Sequence, residues 1–125
     1  MLRPRVLIAE DNDELRELFS FALADRGFEV RGAVDGDDAL IALSESRPDV
    51  LVTDVMMPHL NGVDLIRKVR EMAELADLPI VVLSAYPDYL SKAFVAGATV
   101  AIRKPVELDE LFDKVLSLLP EEAGH

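Results

Sequence analysis

Five short apolar runs, at residues 6–9, 28–30, 50–53, 79–83 and 99–102, set the terms on which this chain can fold. Four of them are rich in Val, Ile and Leu and barely alternate with polar residues. Strands buried on both faces of a parallel sheet read this way. The segments between them change period. Leu15, Leu18, Phe19, Ala22 and Leu23 follow helical spacing, as do Leu108, Leu111, Phe112, Val115, Leu116 and Leu119; Val63, Ile66 and Val69 do so less cleanly. Asp13 is placed to cap the first helix and Asp35 or Asp37 the second. Gly27 and Gly97 stand where helices end, Pro48 precedes the third run and Pro79 opens the fourth. Alternating strands and helices predict a doubly wound α/β sheet with helices on both faces. At 125 residues, one compact domain accounts for the chain. We read residues 1–120 as that domain and 121–125 as a frayed tail.

In such sheets ligands bind beyond the carboxyl ends of the strands, so polar residues are expected just after the apolar runs. They are there: Glu10 and Asp11 after the first, Asp54 after the third, Ser84 after the fourth and Lys104 after the fifth. Three carboxylates and one lysine sum to −2, and crowded carboxylates raise one another's pKa. A divalent cation brings the sum to zero. Carboxylate oxygens suit a hard cation such as Mg²⁺, and a carboxylate beside a cation and a lysine can act as a nucleophile toward phosphorus. The plainer readings are an Asp54 that caps a helix, a solvated Glu10-Asp11 loop, and a Ser84 that caps the fourth helix.

The rest of the composition narrows the field. A formal net charge of −11 disfavours direct contact with nucleic acid or anionic lipid. No apolar run approaches the roughly 18 residues of a membrane helix, and the amino terminus has no secretory pattern. The absence of cysteine excludes disulfides, thiolate metal sites and cysteine nucleophiles, and fits a cytoplasmic protein. No G-x-G-x-x-G follows the first run, which disfavours dinucleotide binding.

Taken together, Glu10-Asp11, Asp54 through Met57-Pro58 to Asn61-Gly62, Ser84-Ala85 and Lys104-Pro105 resemble the response-regulator receiver domain of two-component signalling over essentially the whole chain. The resemblance implies a flavodoxin-like fold of five parallel strands in the order 2-1-3-4-5 and five helices. It implies Asp54 as phospho-acceptor and Ser84 and Lys104 as contacts to phosphoryl oxygens. Mg²⁺ (or Mn²⁺) would be held by Asp11, Asp54, the backbone carbonyl of Met56 and, mostly through water, Glu10. It also implies a cis Lys104-Pro105 bond. The donor would be a sensor histidine kinase or phosphotransfer protein. A downstream effector would read the face of the fourth helix, fifth strand and fifth helix. On this reading the chain is a signalling switch and not a conventional enzyme, catalysing only its own phosphorylation and slow dephosphorylation.

Two departures stand out. The family often has two aspartates where this chain has Glu10-Asp11. Ala101 stands where many members carry Tyr or Phe, and Tyr86 is the aromatic nearest in sequence to Ser84 that could take over part of that role. Asp13 is assigned to capping, His59 to an exposed loop, and Met56, Met57 and Met72 to packing. Two other functions are weighed. An aspartyl-nucleophile phosphatase wants a second Asp at the position of Met56, which argues against it. A phosphorylation-independent interaction domain is kept as the alternative because of Ala101. The positions of the first and last elements favour a stand-alone regulator over a receiver excised from a longer protein.

Overall fold

The computed structural model describes residues 3–120; the proposed tail, residues 121–125, lies outside them. The elements are β1 (Arg5–Ala9), α1 (Asp13–Asp25), β2 (Glu29–Ala33), α2 (Gly36–Glu45), β3 (Val50–Asp54), α3 (Gly62–Glu71), a 3-10 turn (Ala73–Leu75), β4 (Ile80–Ser84), α4 (Pro87–Ala96), β5 (Val100–Arg103) and α5 (Leu108–Ser117). All adjacent strands pair in parallel in the order β2-β1-β3-β4-β5, as the resemblance implies.

The lack of alternation in the central runs has a direct cause. Both faces of the sheet are covered, so every residue of β3 and β4 is buried. Side chains on successive strand residues point to opposite faces. Leu7 and Ala9 therefore join α2, α3 and α4 in one apolar layer, and Val6 and Ile8 join α1 and α5 in the other. β2 lies at the sheet edge and departs from its apolar run. Phe28 precedes the strand and packs edge-on against Phe112, with ring centroids 5.9 Å apart. The strand then runs on through Arg31 and Gly32, because pairing of Arg5–Ala9 with Glu29–Ala33 sets its length.

Local chemistry sets most boundaries. Asp35 caps α2 by accepting from the Asp38 amide at 2.8 Å. The first helix corrects our expectation: its cap is Asn12, whose Oδ1 accepts from the Leu15 amide at 3.0 Å. Asp13 is the first helical residue, where its charge favours the helix amino terminus. Asn61 caps α3 in the same manner. The cap residue of α4 is Tyr86, not Ser84, and Pro87 supplies the preset φ of a first helical position. Gly27 and Gly97 follow their helices at φ +100° and +123°, the left-handed region open to glycine. Of the methionines assigned to packing, Met57 is buried and Met72 half-buried, but Met56 is 52% exposed.

Candidate functional site

The sheet register brings four chain segments to one edge. Asp54 is the last residue of β3 and lies beside Leu83, and Ser84 ends β4 beside Arg103. The Lys104 amide donates to the Ser84 carbonyl at 3.0 Å, which holds the β5 exit against β4. Glu10 follows β1 directly, its amide bonded to the Ala33 carbonyl of β2. The Lys104-Pro105 bond is cis.

The side chains meet there. Lys104 Nζ donates to Asp54 Oδ2 at 3.0 Å and lies 4.0 Å from Glu10 Oε1. Asp54 Oδ1 accepts from the Val55 amide at 2.8 Å. Glu10, Asp54 and Ser84 are buried, whereas Asp11 is exposed at the mouth. Glu10 Oε2 accepts from the Asn12 amide at 3.1 Å, but among the described residues the buried Oε1 has no hydrogen-bond partner. Burial pushes the Glu10 carboxyl up to about 7, and the Asp54 charge adds to the rise; the Asn12 amide and Lys104 oppose it.

An orphaned carboxylate oxygen is costly to bury. Here it faces a defined opportunity. One oxygen from each of Glu10, Asp11 and Asp54 lies within 4.8 Å of the others. Three hard donors, one unpartnered, fit a small divalent cation better than they fit one another. The residues present therefore suit Mg²⁺.

The backbone around Asp54 is built for close approach. A Cβ at Gly62 would lie 2.1 Å from the Asp54 carbonyl oxygen, and the Gly62 amide donates to the Val55 carbonyl at 2.9 Å. Only glycine lets α3 start this close behind the end of β3. A Cβ at Gly36 would lie 2.3 Å from the Leu60 carbonyl oxygen, so the loop between β3 and α3 also rests on the start of α2. One residue in that loop takes a role that spacing did not reveal. His59 adopts φ +67°, and its Nδ1 lies 2.8 Å from Asp35 Oδ2, although the ring stays exposed as expected.

Ser84 Oγ accepts from the Tyr86 amide at 3.0 Å. The Tyr86 ring is exposed and packs edge-on against Tyr89, with centroids 5.8 Å apart. Ala101 is half-buried and packs against the apolar layer shared by α2, α3 and α4. The sequence reading also passed over Arg16, whose guanidinium donates to the Glu10 carbonyl at 2.8 Å. Its only signal was a cation one helical turn beyond an acidic loop.

Comparisons with known proteins agree with this geometry. The family model for the response regulator receiver domain matches residues 6–116. The chain is 39% identical to the response regulator MprA of Mycobacterium tuberculosis (strain ATCC 25618 / H37Rv), over 96% of this chain and 54% of that protein. It is 40% identical to the sensor histidine kinase TmoS of Ectopseudomonas mendocina, over 94% of this chain and 12% of that one. The chain thus spans about half or less of these curated relatives. Among solved structures, the chemotaxis protein CheY4 of Vibrio cholerae superimposes with a TM-score of 0.89 at 30% identity, covering 94% of this chain and all of that one. A putative response regulator from Chloroflexus aurantiacus gives 0.88 at 34% identity, covering 94% and 98%.

Proposed function

The chain belongs to the response regulator receiver domain family of two-component signalling, and from that premise we propose that it accepts a phosphoryl group on Asp54 in a Mg²⁺-dependent step. The receiver unit is taken as residues 1–120. Supporting the reading is one observation above the rest: the buried Asp54 carboxylate bonded to Lys104, within reach of Glu10 and Asp11, with Glu10 Oε1 left unpartnered.

Glu10, Asp11, Asp54 and the Met56 backbone carbonyl are the residues that would hold the cation. When bound, Mg²⁺ supplies neutralisation of charge on the phosphoryl oxygens. The Asp54 carboxylate attacks phosphorus. With a phosphohistidine donor the P–N bond breaks and its electron pair returns to the imidazole nitrogen; with acetyl phosphate the P–O bond breaks and acetate leaves. Lys104 transfers its hydrogen bond from Asp54 to a phosphoryl oxygen, and the Ser84 hydroxyl donates a hydrogen bond to another. In hydrolysis, water attacks phosphorus, the aspartyl P–O bond breaks, and phosphate departs from a regenerated carboxylate. The retained acids and lysine favour this reading over a phosphorylation-independent interaction domain.

Phosphorylation adds charge and acceptors at one end of the sheet and biases a two-state equilibrium there. A swing from 1:99 to 99:1 requires about 5.5 kcal/mol of differential stabilisation. The donor is a sensor histidine kinase or phosphotransfer protein, and the effector reads the α4–β5–α5 face. Incubation with acetyl phosphate and Mg²⁺ should add one phosphoryl group to the intact mass. That gain should vanish in Asp54→Asn and in EDTA. No gain in wild type, from acetyl phosphate or from a phosphohistidine donor, would refute the proposal.

A further inference from the structure

Glu10 is held by more of its surroundings than a metal-binding carboxylate requires. Its amide is bonded to the Ala33 carbonyl, its own carbonyl accepts from Arg16 Nη1 at 2.8 Å, and its Oε2 accepts from the Asn12 amide. Every polar atom is thereby hydrogen-bonded except Oε1, which is buried with no hydrogen-bond partner among the described residues, 4.0 Å from Lys104 Nζ. The Arg16 side chain is itself 17% exposed, and its second terminal nitrogen pairs with Asp13. One guanidinium therefore ties the first residue of the acidic loop to the residue that begins α1. Its stem lies across β2 at a point with no side chain: a Cβ at Gly32 would sit 3.1 Å from Arg16 Cδ and 3.3 Å from Cγ.

We propose that Arg16, seated on Gly32, is the positioning residue that aims Glu10 Oε1 at the cation, so that the bare edge of β2 helps set Mg²⁺ affinity. This rests on the cation-binding reading above. Arg16 does not ligate the cation; it fixes the peptide that carries a ligand. Groups that orient ligands in this way are worth about 10- to 100-fold in metal affinity. A planar fork suits the task, because it can bond the Glu10 carbonyl and Asp13 at once, whereas a lysine offers a point charge.

The test is calorimetric titration of Mg²⁺ into wild type, Arg16→Gln, Arg16→Lys and Gly32→Ala, with thermal melts of each in EDTA. Arg16→Gln should weaken Mg²⁺ by about 10-fold, with Arg16→Lys between it and wild type. Gly32→Ala is the sharper variant. Gly32 does not use a left-handed φ, and alanine is no worse than glycine in a strand, so its melting temperature should hold or rise. Its methyl group must nevertheless displace the Arg16 stem, and Mg²⁺ should bind several-fold more weakly. Wild-type affinity in Gly32→Ala, or in a folded Arg16→Gln, would overturn the inference. Should Arg16→Gln fail to fold, Gly32→Ala alone decides. A wild type that binds no Mg²⁺ would overturn the reading of the site itself, and this inference with it.

Discussion

At the scale of single residues, each buried carboxylate residue leans on a cation: Lys104 Nζ donates to Asp54 Oδ2, and Arg16 Nη1 donates to the Glu10 carbonyl. Glu10, Asp11, Asp54, Ser84 and Lys104 could be placed from the ends of apolar runs, but Arg16 and Gly32 touch only in the fold. The His59–Asp35 pair is of the same kind. It joins residues 24 apart in sequence through a left-handed loop residue that spacing cannot announce. Hydrogen bonding and charge from Asp35 raise the His59 pKa above 6.5; bonds from the Asp38 amide and from His59 lower that of Asp35 below 3.8. The raised histidine contributes stability that is complete below pH 6.5 and lost as pH rises through its folded value. The lowered aspartate contributes stability that is complete above pH 3.8 and lost as pH falls. The pair is therefore intact between those limits. An NMR titration of the His59 ring should give a midpoint above 6.5, and Asp35→Asn should return it toward 6.5. An unshifted wild-type midpoint would show that the pair does not form in solution.

At the scale of elements, the central strands were read well because burial on both faces suppresses alternation in β1, β3 and β4. β2 was read short, since its extent is dictated by pairing with β1 and not by its own hydrophobicity. The first helix was read as starting one residue late, with Asp13 taken as the cap where Asn12 holds that place. The start of α3 carries the firmest constraint. Gly62→Ala would drive a methyl group into the Asp54 carbonyl at 2.1 Å, and overpacking of this sort costs about 1–3 kcal/mol. Urea unfolding should show that loss. Because the strain falls on the Asp54 peptide, the proposed function predicts a lower yield from acetyl phosphate as well. A variant that unfolds at the wild-type midpoint would mean that α3 can retreat without penalty.

At the scale of the whole molecule, two apolar layers enclose a five-stranded sheet, and among the described residues no helix is long and apolar enough to cross a membrane. The net charge of −11 works against compactness through self-repulsion. Screening reaches about 8 Å at physiological ionic strength, so the melting temperature in EDTA should rise as NaCl is raised from low to physiological levels. A flat or falling trend would mean that the ion pairs, such as Arg31–Glu45 and Arg26–Asp109, outweigh the repulsion. The sheet order carries one more consequence. β3 and β4 are neighbours at the centre, yet the chain leaves the sheet between them for α3 and the turn that ends at Leu75. Cut there, the polypeptide would yield one fragment bearing Glu10, Asp11 and Asp54 and another bearing Ser84 and Lys104. Neither half owns all five candidate residues, so under the proposed function phosphoryl uptake by a mixture of the two would act as a chemical reporter of their reassembly.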